Sequence, residues 1–141
     1  MARMSRTGDL AACHAIRRAV FMEEQGVPEA LEFEGDDHLF EHWLAHDGGR
    51  PVATLRARLD GGAAAIGRVA VLRGARGRGL GAALMRRAMD DLAMRGAREA
   101  RLGAQLHAVP FYERLGFAAE GPEYDDAGIP HRLMRRPLGP A

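Results

Sequence analysis

The chain has 141 residues, 47% hydrophobic and 28% charged, with a net charge of +1. That describes one soluble globular domain with material for a single core. It excludes a bulk electrostatic pull toward nucleic acid or acidic membranes, and no apolar run approaches the roughly 18 residues of a membrane span.

Residue types remove several chemistries. All 20 basic residues are Arg, which excludes a Schiff-base lysine, a Walker-A lysine and a kinase β3 lysine. Ser5 is the only serine and lies near the start, a poor place for a hydrolase nucleophile. Cys13 is the only cysteine, so neither an intrachain disulfide nor a cysteine-rich zinc site can form. A lone thiol also fits a reducing cytoplasm. Met1 to Thr7 lacks the hydrophobic stretch of a signal peptide.

The first predicted helix starts at Thr7, read as its N-cap with Asp9 in the first turn. Leu10, Cys13, Ile16 and Val20 form one apolar face, and Gly26 and Pro28 end the helix. The acidic stretch 29–37 reads as a short helix or ordered loop. Two strands follow, Glu41 to His46 and Pro51 to Leu59, joined by Asp47-Gly48-Gly49. After Asp60-Gly61-Gly62 comes a third strand, Ala65 to Leu72, in which Gly67 marks a weak point or bulge. A glycine-rich stretch, 73–81, leads into the clearest helix of the chain. There Leu80, Leu84, Ala88 and Leu92 repeat every four residues with Met85 and Met89 beside them, and Gly96 closes it. Glu99 to Gly103 is a short strand and Val109 to Leu115 a short helix. Phe117 to Glu120 and His131 to Arg136 are late strands, joined through Gly121-Pro122 and Gly128-Ile129-Pro130. The order predicts a mixed α/β fold in which an antiparallel meander feeds a crossover helix.

The stretch Arg76-Gly77-Arg78-Gly79-Leu80-Gly81, between a strand and a helix, carries most of the functional information. Glycine lets backbone N–H groups approach a ligand, and a helix N-terminus adds partial positive charge and unpaired donors. Together they make a cradle for a diphosphate, to which Arg73, Arg76 and Arg78 add forked cations. The competing reading is a sharp turn with solvated arginines. A dinucleotide-binding fingerprint is disfavoured. The loop sits mid-chain after an antiparallel meander, the strand after the helix does not end in an acid, and too little chain follows for a second nucleotide-binding half.

The same residues resemble a known family. Arg76-Gly-Arg-Gly-Leu-Gly81, after Arg68-Val-Ala-Val-Leu72, resembles the Arg/Gln-x-x-Gly-x-Gly/Ala signature of the GNAT superfamily of N-acetyltransferases. Gln105, Ala108 and Phe111-Tyr112-Glu-Arg-Leu-Gly-Phe117 are similar to that family's second signature. Val20 to Pro28, Ala104 to Tyr112 and Asp126 to His131 resemble its small bacterial ElaA/YjcF-like branch, and the likeness runs from Asp9 to Arg135. The resemblance implies the acyl-CoA N-acyltransferase fold in one domain, with an antiparallel N-terminal meander and a central parallel strand pair splayed around the cofactor. That fold usually opens with a full strand, which is short or missing here.

The resemblance further implies that acetyl-CoA is the co-substrate and an amine, on a small molecule or a protein, the acceptor. Neither nucleic acid nor membrane is an expected partner, and a homodimer is compatible with the family. By the same analogy the backbone of Val69, Ala70 and Val71 meets the pantetheine arm and thioester. Residues 76–82 (Arg76, Gly77, Arg78, Gly79, Leu80, Gly81, Ala82) hold the diphosphate, and Gln105 faces the pantetheine. Acetyl transfer needs a donor for the thioester oxygen, assigned to the N–H of Val71, and an acid for the leaving thiolate, assigned to Tyr112. It also needs a proton acceptor, because an amine of pKa about 10.4 is neutral in about one molecule in 2,500 at pH 7, a handicap of roughly 4.6 kcal/mol. Glu34, from the cluster Glu32, Glu34, Asp36 and Asp37, is preferred as that base, with His131 close behind; Glu24, Gln25 and His131 are expected in the acceptor pocket.

Other features read as structural. His42 and His46 alternate on one strand face without a third ligand at metal spacing, so no metal is expected. An RNA-binding role for Arg68, Arg73, Arg76 and Arg78 lacks a stacking platform. A coenzyme-sensing module that binds but transfers nothing is the alternative to an enzyme.

Overall fold

The computed structural model describes residues 2–139. One seven-stranded sheet forms the frame, in the order β1-β2-β3-β4-β5-β7-β6. Strands β1 (Ala2–Thr7), β2 (Glu41–Asp47), β3 (Arg50–Asp60) and β4 (Ala63–Val71) make the expected antiparallel meander. β5 (Glu99–Gln105) runs parallel to β4 after the crossover helix, and β7 (Ile129–Pro137) and β6 (Ala118–Asp126) complete the sheet antiparallel. The opening strand is present and short, with all six residues paired to β2.

Strand alternation divides the core between two faces. On one face α3 (Leu80–Met94) and α4 (Val109–Arg114) cover Trp43, Leu55, Ala57, Ile66, Leu102 and Met134; Leu84, Met85, Ala88 and Leu92 of α3 are fully buried, as their spacing predicts. The Trp43 indole N–H donates to Asp91 (2.9 Å) and ties α3 to β2. On the other face α1 (Leu10–Arg17) buries Cys13 and Ile16 against Leu44 and Ala70.

Three local expectations need correction. The N-cap of α1 is Asp9, whose Oδ1 accepts from the Ala12 N–H (3.1 Å); Thr7 Oγ1 accepts from the Asp9 N–H instead (3.0 Å). Two polar residues of capping type lie two apart, and the one followed by Leu10 wins. The helix also does not run unchanged to Gly26. From Arg18 to Glu24 it widens to a π-helix, with bonds such as Gln25 N–H to Val20 C=O (3.1 Å). Gly121-Pro122 does not turn the chain. It sits in a bulge of β6 between Glu120 and Tyr124, and the hairpin turns at Ala127-Gly128. A Pro in an edge strand gives up no ladder bond, so it is tolerated there.

The feature that positions the site is the brevity of the β4–β5 ladder. Only Ala63, Ala64 and Ala65 pair, with Glu99, Ala100 and Arg101; beyond them the parallel strands part. On the opposite edge, β4 stays paired to β3 but slips by one residue, so that Leu55 faces both Arg68 and Val69. Arg68 has φ +52, a left-handed conformation that an L side chain adopts at a cost. The weak point signalled by Gly67 is therefore a bulge just after it.

Candidate active site

The parted strands frame a cavity of about 800 Å³. One side is β4, Ile66 to Val71, and the other is the end of β5 with His107, Ala108, Phe111 and Tyr112. The end of the π-helix and α2 (Glu29–Glu32) roof it with Phe21, Glu24, Gln25, Leu31 and Glu32, and the β6–β7 hairpin adds Tyr124, Asp126, Ile129 and His131.

At one mouth lies the glycine loop. Gly77 and Gly79 have φ +82 and +74, which only glycine takes without strain, and Gly79 is the N-cap of α3. The first bond into the helix is Ala83 N–H to Gly79 C=O (3.0 Å), so the N–H groups of Leu80, Gly81 and Ala82 precede the helical ladder. A Cβ at Gly81 would stand 3.1 Å from Val71 Cγ2 and 3.5 Å from Phe111 Cζ; glycine there lets α3 seat against β4.

The arginines of the loop have protein partners. Arg76 forks onto Glu24 (2.7 and 2.6 Å) while its Nε donates to the Val71 carbonyl (2.9 Å). Arg78 pairs with Asp47 (2.7 Å) and is not on the cavity wall. Glu24, expected to meet substrate, is thus the acid of a staple. Hydrogen bonding from Arg76, helped by Arg73, holds its carboxyl at about 2, far below the usual range, so it is no proton acceptor near neutrality.

Leu72 N–H donates to the Val52 carbonyl on β3 (2.9 Å). Backbone groups alternate along a strand, so those of Val71 and Val69 face the opposite, open edge of β4. The Val71 carbonyl on that edge takes the Arg76 Nε, and the Val71 N–H points to the same edge.

Tyr112 packs edge-on to Phe111 (5.0 Å) and Phe117 (5.9 Å) and is 7% exposed. Burial pushes its phenol up, so it stays protonated at every physiological pH. Gln105 Nε2 donates to Gln25 Oε1 (2.8 Å), bridging β5 and the end of the π-helix across the cavity.

The acidic cluster is sorted by its turn of helix. Glu32 is buried and faces the cavity, gripped by Arg17 (2.7 Å) and Arg68 (3.2 Å); burial pushes its carboxyl up while Arg17 and Arg68 oppose this. Glu34 is 56% exposed, 3.6 Å from Arg68, and does not reach the cavity wall. Position 34 follows the end of α2, where the chain has turned outward, so the geometry does not bring this expected base to the others. Asp37 accepts from Arg17 (2.7 Å), Arg56 (2.8 Å) and His14 (2.8 Å). His131, by contrast, is on the wall. Its Nδ1 lies 2.7 Å from the Ile129 carbonyl, and a carbonyl can only accept, so Nδ1 carries a proton, and in the neutral ring the lone pair sits on Nε2.

Tyr124 lines the same wall and belongs to none of the motifs; it lies opposite His131 by virtue of the β6 bulge. Among the described residues no three His, Cys, Asp or Glu side chains group to hold a metal, and no helix is long and apolar enough to cross a membrane.

Comparison with known proteins points one way. The family model for a GNAT acetyltransferase domain matches residues 7–138. The uncharacterized N-acetyltransferase YjcF of Bacillus subtilis is 36% identical over 122 residues, 86% of this chain and 87% of that protein. The crystal structure of Escherichia coli ElaA superposes with a TM-score of 0.84 at 29% identity, over 96% of this chain and 99% of that one. An acyl-CoA N-acyltransferase from Pseudomonas aeruginosa superposes with a TM-score of 0.80 at 33% identity, covering 96% and 98%.

Proposed function

Since the chain belongs to the GNAT family of acetyltransferases, we propose that it moves an acetyl group from acetyl-CoA to a primary amine by direct attack. The observation that carries this reading is the parallel ladder that stops at Ala65 and Arg101, with the glycine loop and the start of α3 at the open end. A cleft with unpaired strand edge along one wall and helix N–H donors at its mouth suits a long, polar-jointed molecule ending in a diphosphate. The tight approach of Gly81 to Val71 supports the same fit, since a side chain there would press the strand and the helix apart.

Acetyl-CoA supplies an activated acetyl thioester. The N–H groups of residues 77–82 hold the diphosphate, with Arg76 acting through its staple to Val71 and Glu24 rather than as a free cation. The Val71 N–H donates to the thioester oxygen; one such donor is typically worth about 10²–10³ in rate. Tyr112 Oη gives its proton to the departing sulfur. His131 Nε2 takes the proton of the incoming amine, a role that its wall position and fixed tautomer favour over Glu34. Gln25 and Gln105 line the passage between the two halves.

The test is a calorimetric titration with acetyl-CoA and, separately, NAD, followed by a thiol-release assay across a panel of amines. Binding of acetyl-CoA alone, with amine-dependent thiol release, supports the reading. Acetyl-CoA binding without release on any amine returns a coenzyme-sensing module, and absence of acetyl-CoA binding removes the reading.

A further inference from the structure

The Tyr124 hydroxyl occupies the room that a side chain would take at Gly103, two strands away. Gly103 on β5 pairs with Leu133 on β7, two residues along from the Gln105–His131 pair, and so shares its face with His131 and Tyr124. A Cβ on Gly103 would overlap the Tyr124 hydroxyl outright; the Tyr124 ring carbon Cζ would stand at 3.5 Å and His131 Cδ2 at 3.9 Å, both ordinary contacts. Gly103 does not have a positive φ, so its backbone does not call for glycine; what the position supplies is room for one phenol oxygen. The seated ring lies 5.7 Å from the His131 imidazole at 31°. On its Nδ1 side the imidazole is tied to the Ile129 carbonyl (2.7 Å). These two restraints fix the imidazole plane and leave Nε2 as the free ring nitrogen.

We infer that Tyr124 is a positioning residue: lodged in the gap at Gly103, its ring holds the His131 imidazole with Nε2 toward the acceptor amine. The inference rests on the proton-accepting role given to His131 above. Gly103→Ala evicts the hydroxyl and with it the ring. Gly103→Ala combined with Tyr124→Phe removes the one overlapping atom and lets the ring return.

The experiment measures kcat, acetyl-CoA affinity and the NMR signals of the His131 ring in the full chain. Gly103→Ala is expected to lower kcat by about 10²-fold and to shift the His131 signals, with acetyl-CoA affinity within about twofold of wild type; the double variant recovers kcat to within about threefold and restores the signals. Wild-type kcat in Gly103→Ala, a double variant no better than the single one, or a loss confined to acetyl-CoA affinity would overturn the inference. Thiol release by the wild type tests the underlying reading by itself, and the His131 signals report positioning whether or not an acceptor is in hand.

Discussion

Asp37→Asn is expected to destabilise the fold by about 2–3 kcal/mol, for reasons that can be worked out atom by atom. Asp37 Oδ1 takes Arg17 Nη1 at 2.7 Å and Arg56 Nη1 at 2.8 Å, and Oδ2 meets His14 Nε2 at 2.8 Å. Arg17 is 1% exposed and shares its charge between Asp37 and Glu32. Asn keeps an oxygen for the two arginines but no charge. Two hydrogen bonds to an ionised acceptor, each worth about 1.5–3 kcal/mol, become neutral-acceptor bonds worth roughly 0.5–1.5 kcal/mol. The loss stays below the roughly 3–5 kcal/mol of a fully broken buried pair, because Glu32 and Asp36 still face the arginines. In a chain of this size about 2–3 kcal/mol corresponds to roughly 5–10 °C in Tm. Burial alone would raise the Asp37 carboxyl, but the hydrogen bonds from Arg17 and Arg56 outweigh it and hold the group well below the usual range. A depressed carboxyl stabilises the fold above its unfolded pKa and loses that contribution as pH falls through its folded one. Denaturant melts of the two proteins are therefore separated between pH 8 and about pH 5, and the gap begins to narrow below about pH 4 and closes as pH falls through the depressed folded value. Equal stability at pH 7, or a gap that persists undiminished to the most acidic measurable point, would refute the reasoning.

Other expectations follow from the same geometry. Tyr112→Phe keeps the edge-on contacts to Phe111 and Phe117, so it binds acetyl-CoA as the wild type does but turns over about 10²-fold slower or worse; unchanged turnover would remove Tyr112 from proton donation. Arg76→Ala removes the staple between Glu24 and Val71, weakening acetyl-CoA affinity about fivefold, the effect of roughly 1 kcal/mol for a network this exposed, as calorimetry would read. Gly81→Val overfills the space against Val71 and costs about 1–3 kcal/mol of stability in denaturant melts, with acetyl-CoA binding lost along with it. Cys13 is buried, and burial pushes its thiol up. A thiol reagent is therefore silent on the native protein and scores one thiol per chain after denaturation, which keeps the thiol-release assay clean.

The frame and the loop are legible in the sequence because each leaves a local signal. Four-residue repeats from Leu80 to Leu92 report a helix pressed on a sheet, and glycines at 77 and 79 report the positive φ angles that the turn needs. The acid cluster is not legible. Whether Glu32 or Glu34 faces inward depends on where a four-residue helix ends, and no periodicity fixes that within one turn. Nor does Glu24 announce that it lies beside Arg76, 52 residues away, because the pairing follows from the π-helix that swings it there. Tyr124 escapes for a similar reason. Reading Gly121-Pro122 as a turn ends the strand too early, and the bulge that carries the strand on to Tyr124 is set by pairing with β7. The only trace of its seat is a glycine at 103 in the middle of a strand, a position that otherwise reads as a weakness.

The central claim is that the gap between β4 and β5 receives acetyl-CoA with its diphosphate on the glycine loop. A crystal structure of the complex tests it most directly. The account predicts diphosphate oxygens on the N–H groups of residues 77–82 and the thioester between Val71 and Tyr112. Coenzyme bound elsewhere on the chain, with this gap closed or filled by protein, would contradict it.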